Sequence, residues 1–372
     1  MRAAKKATVL WEGMMILMMF TMSVYLYYLV AGWGISAYFA EGLFKDYVTG
    51  PVVHWEALTL SLSFGLLLAI VNAWCDAPRV RRLPFGCIIF LKSFLYLASL
   101  AVAFAFVLLV FHLFLFSPAE IDALMGTMTV PFLVSISLWF AVCILGINFV
   151  MEVRRKVGPG NLSALFTGRY RRPRMEDRIF LFLDLKASTT IAERLGSEKF
   201  SRLLCQCFFD LNDILIIYGA QIYQFVGDEV VLMWSNRDRH SSANSLRVFF
   251  DFDEKIKERK ALYENEFGMV PIFRGGIDVG AVTATEVGDI KREIAYHGDP
   301  LNTAARLLEL SKEYEQRIVI SGKIKAEISG SQEFTVEHRG EVKLRGKTEK
   351  VAIFTVTYEK PCNHREKSFR FD

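Results

Sequence analysis

Four apolar stretches lie before residue 152, at 8–31, 56–74, 90–114 and 130–150. A helix needs ~20 residues to span the hydrocarbon core of a bilayer. A chain with four such stretches in its first half is therefore committed there to an α-helical membrane domain. The first stretch is not read as a cleaved signal. Its apolar core is too long, and Tyr25, Tyr27, Tyr28 and Trp33 stand where small residues would be needed. Positive charge sets the expected orientation. Arg2, Lys5 and Lys6 precede the first stretch, Arg79, Arg81 and Arg82 lie between the second and third, and Arg154, Arg155 and Lys156 follow the fourth. The other two connections hold Lys45 and the acids Glu120 and Asp122. Both termini are thus expected in the cytoplasm, with the chain multi-pass in an inner or plasma membrane.

Glu12, His54, Glu56, Lys92 and His112 are the polar residues in or near the spans. Glu12 and Lys92 lie close enough to cytoplasmic ends to snorkel, and His54 and Glu56 sit at the outer interface. No internal repeat suggests a transport path. Mean hydropathy is +0.28 although 23% of residues are charged, because the apolar residues crowd before 152 and the charges after it. The net charge of +4 is modest, and the basic residues flank apolar segments. The expected partner is a lipid bilayer and not a nucleic acid. The six cysteines form no CxxC pair and no histidine-spaced cluster, so they read as free thiols.

The division that follows is a four-helix transmembrane domain at 1–152, a basic cytoplasmic linker at 153–177, a soluble domain at 178–360 and a tail at 361–372. The linker contains Gly158, Pro159 and Gly160, which interrupt any continuous helix. Leu162, Leu165 and Phe166 suggest a short amphipathic stretch at the lipid surface. Arg169, Arg171, Arg172 and Arg174 suit anionic headgroups.

The soluble domain opens on a continuous apolar run, 178–183, ended by Asp184. Such a run reads as a fully buried strand, and a carboxylate at its end is costly unless neutralised. Ser188 or Thr189 is expected to cap the next helix, with Glu193 near capping-box spacing. Free amides beside an acid suit phosphate and metal together. A helix at 198–218 follows, then two strands around a tight Gly227-Asp228 turn. The turn brings a second acid, and two acids suggest a shared divalent cation. A single long helix is expected over 241–267, strands over 272–286 and 294–297, and another helix after Gly298. On that last helix Asn302 and Arg306 are four apart and share a face. An amide beside a guanidinium suits an oxygen-rich anionic ligand. The order strand, helix, hairpin, helix, strand is α+β of the ferredoxin-like type.

These residues carry a resemblance. FLFLDLKASTTIAE, YQFVGDEVVLMW, HGDPLNTAARL and VKLRGKTEKV together resemble the catalytic domain of class III nucleotidyl cyclases, over roughly 175–358. The resemblance implies formation of a cyclic nucleotide and pyrophosphate from a nucleoside triphosphate at the interface of a homodimer. It makes Asp184, Asp228 and the Leu185 carbonyl ligands of two divalent ions, Mg²⁺ or Mn²⁺. It makes Asn302 and Arg306 of the partner chain the ribose-orienting and charge-stabilising groups. Lys186, Ala187, Ser188 and Thr189 would line the triphosphate, and Arg345 would grip its terminal phosphates. Gln224 and Ala295 stand where the family reads the purine. A glutamine amide both donates and accepts, and alanine offers no side-chain hydrogen bond. ATP is the expected substrate, with GTP or dual use as the alternative and a catalytically silent sensor as the more distant one.

Overall fold

A computed structural model of the chain describes residues 2–31, 52–75, 80, 85–114, 130–157, 164, 167–290, 292–343 and 349–358. Outside the described residues lie the Gly158–Gly160 break, the stretch with Leu162, Leu165 and Phe166, Arg345 and the tail. The side chains of Glu56 and His112 lie outside them too. The chain divides into two compact units near residue 157.

The first unit contains four helices long and apolar enough to cross a membrane. They are α1 (Arg2–Ala31), α2 (Val52–Cys75), α3 (Phe85–Phe114) and α4 (Val130–Val157). Their shared interior is built on Phe20, which meets Phe64 edge-on at 4.5 Å and stacks on Phe140 at 5.6 Å. Glycine lets α1 and α2 approach closely, since a Cβ on Gly13 would lie 3.3 Å from that of Ala69. Small residues at such contacts are how helices pack where lipid removes the usual apolar driving force. The outward faces are apolar as well, with Leu10, Met22, Phe90 and Phe149 all well exposed. Lys92, expected to snorkel, donates to Asn72 Oδ1 at 3.1 Å. Asn72 is nearly fully buried, so the ammonium supplies the hydrogen bond that an interior amide needs.

The second unit is one mixed sheet with helices on both faces. Its strands are β1 (Arg174–Leu185), β2 (Gln221–Val226), β3 (Glu229–Ser235), β4 (Phe273–Val287), β5 (Glu293–His297), β6 (Ile318–Ser321), β7 (Phe334–Val342) and β8 (Val351–Tyr358). The sheet order is β2-β3-β1-β4-β6-β8-β7, with β5 on β4. The segment β2-β3-β1-β4 is wholly antiparallel, which is the ferredoxin-like arrangement the sequence order implies. The expected strand at 178 begins four residues earlier, because Arg174 to Asp177 continue the ladder with β4.

Alternation along β1 divides the core. Ile179, Leu181, Leu183 and Leu185 join one cluster with α6 (Ser197–Ile217) and α7 (Ser241–Glu258). Phe180 and Phe182 join another with Ala304 and Leu308 of α9 (Asp299–Glu313). By the same two-residue period Asp184 lies on the α9 face. Gly276 of β4 lies directly beneath α9. A Cβ there would come within 2.9 Å of the Leu307 carbonyl carbon, and closer still to the Leu308 nitrogen and the Ala304 oxygen.

Two local expectations are corrected. The helix after Asp184, α5 (Ser188–Leu195), has no side-chain cap; Ala187 precedes it in the left-handed conformation at φ 58°. The turn itself, and not Ser188 or Thr189, starts the helix. The long helix expected over 241–267 breaks at Arg259 into α7 and α8 (Lys260–Phe267). The break lets Arg259 pair with Asp210 of α6, a carboxylate that is 2% exposed and also accepts from Tyr263 at 2.8 Å. A further short helix, α10 (Gly322–Glu327), follows β6 and is capped by Ser321.

Candidate active site

Asp184 sits at the end of β1, 7% exposed. Asp228 follows Gly227, whose φ of 63° makes the turn between β2 and β3. Glycine adopts that conformation at no steric cost. The β1–β3 pairing runs from Arg178↔Ser235 to Leu183↔Val230. It therefore carries the β2–β3 turn to the same end of the sheet as Asp184. The two carboxyl groups face each other. Burial raises the Asp184 carboxyl above the usual carboxylate range, Lys312 works against that, and Asp228 adds to it. Glu229 is raised as well, by burial first and then by Asp184. Asp228 Oδ2 is buried and has no hydrogen-bond partner among the described residues.

A buried, unsatisfied carboxylate oxygen beside a second carboxylate is unfavourable in isolation. It is the donor chemistry that a hard divalent cation selects. The Leu185 carbonyl lies next along the chain. These groups fit the ions that the resemblance implies, although no cluster of three acidic, histidine or cysteine side chains occurs among the described residues.

The remaining expected residues fall into three groups. Lys186 and Ala187 form the turn between β1 and α5, and Ser188 and Thr189 are the first residues of α5. The first helical N–H groups there lack intrahelical partners and are next to the acids. Gln224 is exposed on β2 and Ala295 half-buried on β5. Their neighbours Tyr223 and Tyr296 touch, with ring centroids at 5.3 Å and the Tyr296 N–H donating to Tyr223 Oη at 3.4 Å. The strands that carry Gln224 and Ala295 thus meet through these two tyrosines. Asn302 is exposed, and Arg306 is engaged only with Glu309 of its own helix, at 2.8 and 2.7 Å, among the described residues.

Two features were not foreseen. Lys312, on the last turn of α9, forms an ion pair with Asp184 Oδ2. Arg274 stands opposite Asp184 in the β1–β4 register. Arg274 follows from pairing register, which the sequence does not display. Lys312 reads along the chain as an ordinary solvent-facing lysine.

A second polar cluster lies at the other end of β1. Glu176 accepts from Arg169 at 2.9 Å, from Tyr170 Oη at 3.1 Å and from Arg178 Nε at 3.0 Å. Arg178 lies over the Tyr296 ring at 5.5 Å. Tyr170 is buried, and its carbonyl accepts from the Glu286 N–H at 2.8 Å. A cavity of about 680 Å³ opens beside this cluster.

The model of the adenylate and guanylate cyclase catalytic domain matches residues 171–357. Adenylate cyclase 2 of Rhizobium meliloti (strain 1021) is 34% identical over 211 residues, which cover 57% of this chain and 58% of that protein. Adenylate cyclase 1 of the same organism is 26% identical over 47% of this chain and 27% of its own length. The chain thus spans less than two thirds of either relative. Among solved structures, the adenylyl cyclase CyaB from P. aeruginosa aligns with a TM-score of 0.46 at 20% identity, over 51% of this chain and 98% of that one. The family match covers Asp184, Asp228, the Gly298–Arg306 segment and all of the sheet but Tyr358. The chain belongs to the family of adenylate and guanylate cyclase catalytic domains.

Proposed function

We propose that the protein is a membrane-anchored adenylate cyclase, converting ATP to 3′,5′-cyclic AMP and pyrophosphate in sites shared between two copies of the chain. The observation that carries this reading is the facing pair Asp184 and Asp228, with one buried carboxylate oxygen left without a hydrogen bond among the described residues. Two divalent ions held there and by the Leu185 carbonyl would acidify the ribose 3′-hydroxyl and neutralise the triphosphate. The amides at the start of α5 cradle phosphate oxygens. Asn302 orients the ribose, and Arg306 stabilises the charge that develops as the leaving pyrophosphate separates.

A homodimer is supported by where α9 holds these residues. Lys312 touches Asp184. At a rise of ~1.5 Å per residue, Arg306 lies about 9 Å and Asn302 about 15 Å back along the helix axis. They serve a metal site other than that of their own chain, and a symmetric pair would complete two sites. The preference for ATP rests on the adenylate cyclases among the relatives. Dual use of GTP is the second reading, favoured by Ala295, since a site without a hydrogen-bonding side chain rejects the wrong base weakly. The positive charges around the apolar stretches favour cytoplasmic termini.

The test uses the full chain in detergent with Mn²⁺ and either ATP or GTP, measuring cyclic product and pyrophosphate. Asp184→Ala and Arg306→Ala are each expected to be inactive alone and to regain activity when co-assembled, through one intact hybrid site. No product from either nucleotide in a verified dimer refutes the enzyme. Heterodimers that stay silent refute the shared site.

A further inference from the structure

Lys312 is the cation that the structure pairs with the acidic end of β1. Its ammonium reaches Asp184 Oδ2, while half of its side-chain surface stays in solvent. The acids it faces have little freedom. Asp184 is fixed at the end of a strand paired on both sides, and Asp228 is fixed by a two-residue turn. The lysine has a flexible four-carbon stem. An ammonium and a divalent ion at Asp184 Oδ2 repel each other, so the two compete for that oxygen.

We propose that Lys312 is the resident counter-ion of the metal site: it neutralises Asp184 while no metal is bound, yields that oxygen to the metal, and then turns to the phosphate oxygens of the bound nucleotide. The inference rests on the reading of Asp184 and Asp228 as metal ligands. Without a cation, two facing carboxylates strain the end of the sheet. With Lys312 in place the metal-free protein has an alternative, and metal binding must displace it. Once displaced, the ammonium stands beside the metal and is repelled by it. A triphosphate brings several negative oxygens to the same place, and there the ammonium becomes favourable. Removing Lys312 therefore has opposite effects on two ligands.

The experiment measures Mn²⁺ binding to the full chain in detergent, without nucleotide, from the free-ion electron paramagnetic resonance signal. A non-reacting ATP analogue is titrated separately at saturating Mn²⁺. Lys312→Met is expected to bind Mn²⁺ roughly five-fold more tightly and the analogue roughly five-fold more weakly, the scale of one half-exposed ion pair. Lys312→Gln, which keeps a polar tip, is expected to change both affinities in the same directions and serves if the methionine variant does not fold. Its melting temperature in EDTA is expected to fall below that of the parent, and saturating Mn²⁺ to close the gap. Unchanged or weaker Mn²⁺ binding in the lysine variants overturns the counter-ion role, and unchanged analogue binding overturns the phosphate role. Asp184→Asn separates the two readings. If it binds Mn²⁺ like the parent, the metal reading itself fails. If it loses Mn²⁺ while the lysine variants match the parent, the metal reading stands and the role of Lys312 falls.

Discussion

Replacing Gly276 by alanine tests whether α9 is seated on the sheet as tightly as the reaction requires. The added Cβ would lie 2.9 Å from the Leu307 carbonyl carbon, with the Leu308 nitrogen and Ala304 oxygen nearer still. All three are backbone atoms in the middle of the helix, so no rotamer change relieves them. Carbon contacts are most favourable at ~3.5–4.0 Å, so α9 must withdraw by roughly 1 Å. Overpacking of a filled core costs about 1–3 kcal/mol, and the upper end applies because backbone must move. For a unit of this size that corresponds to a fall of roughly 6–12 °C in melting temperature. Asn302, Arg306 and Lys312 all move with the helix. A misplacement of ~1 Å costs about a hundred-fold in rate. With Asn302 and Arg306 acting in the transition state as proposed, kcat and kcat/KM should fall together, with KM little changed. The assay is cyclic-nucleotide production by the purified full chain, beside a thermal melt of the same sample. A Gly276→Ala protein that melts within a degree of the parent and keeps its kcat would refute the close seating of α9 and the argument built on it.

Two further outcomes follow from buried groups away from the acids. Arg259→Met leaves Asp210, 2% exposed, with Tyr263 and Gln206 but no cation among the described residues. Breaking a buried pair this way costs about 3–5 kcal/mol, so the melting temperature is expected to drop by at least ~6 °C, read by calorimetry. Burial pushes the Cys207 thiol up to about 12. Iodoacetamide at pH 8 should therefore label the exposed Cys205 and leave Cys207 unmodified in the folded protein, as read by peptide mass spectrometry.

What the sequence displayed and what it hid divide along physical lines. The spans and the strand to Asp184 were legible because burial imposes long apolar runs, and an acid ending such a run is conspicuous. Asp228 was legible because a Gly-Asp pair between apolar runs is turn chemistry. Asn302 and Arg306 were legible as a helical i, i+4 pair. The break at Arg259 was not, since the apolar pattern of 241–267 continues through it and the cause is Asp210, in another helix. The start of α5 was not legible, since Ala187 turns the backbone there without a side-chain cap. Lys312 was hidden because its partner lies 128 positions earlier (312 − 184), and only the packing of α9 on the sheet brings them together.

The cluster around Glu176 bears on where this domain can be cut. A fragment beginning at Arg178 keeps the apolar run, Asp184 and Asp228 but loses Arg169, Tyr170 and Glu176. Arg178 would then be left over Tyr296 without its carboxylate, and the Glu286 N–H would lose its acceptor. A fragment that keeps this cluster whole starts before Ala164, which is itself buried against the sheet. The same cluster fixes how tension is distributed. A pull on the chain at residue 170 is carried first by the side chain of Glu176 and the backbone of Glu286. It enters the sheet through β1 and β4 together, the strand that ends at Asp184 and the strand on which α9 rests.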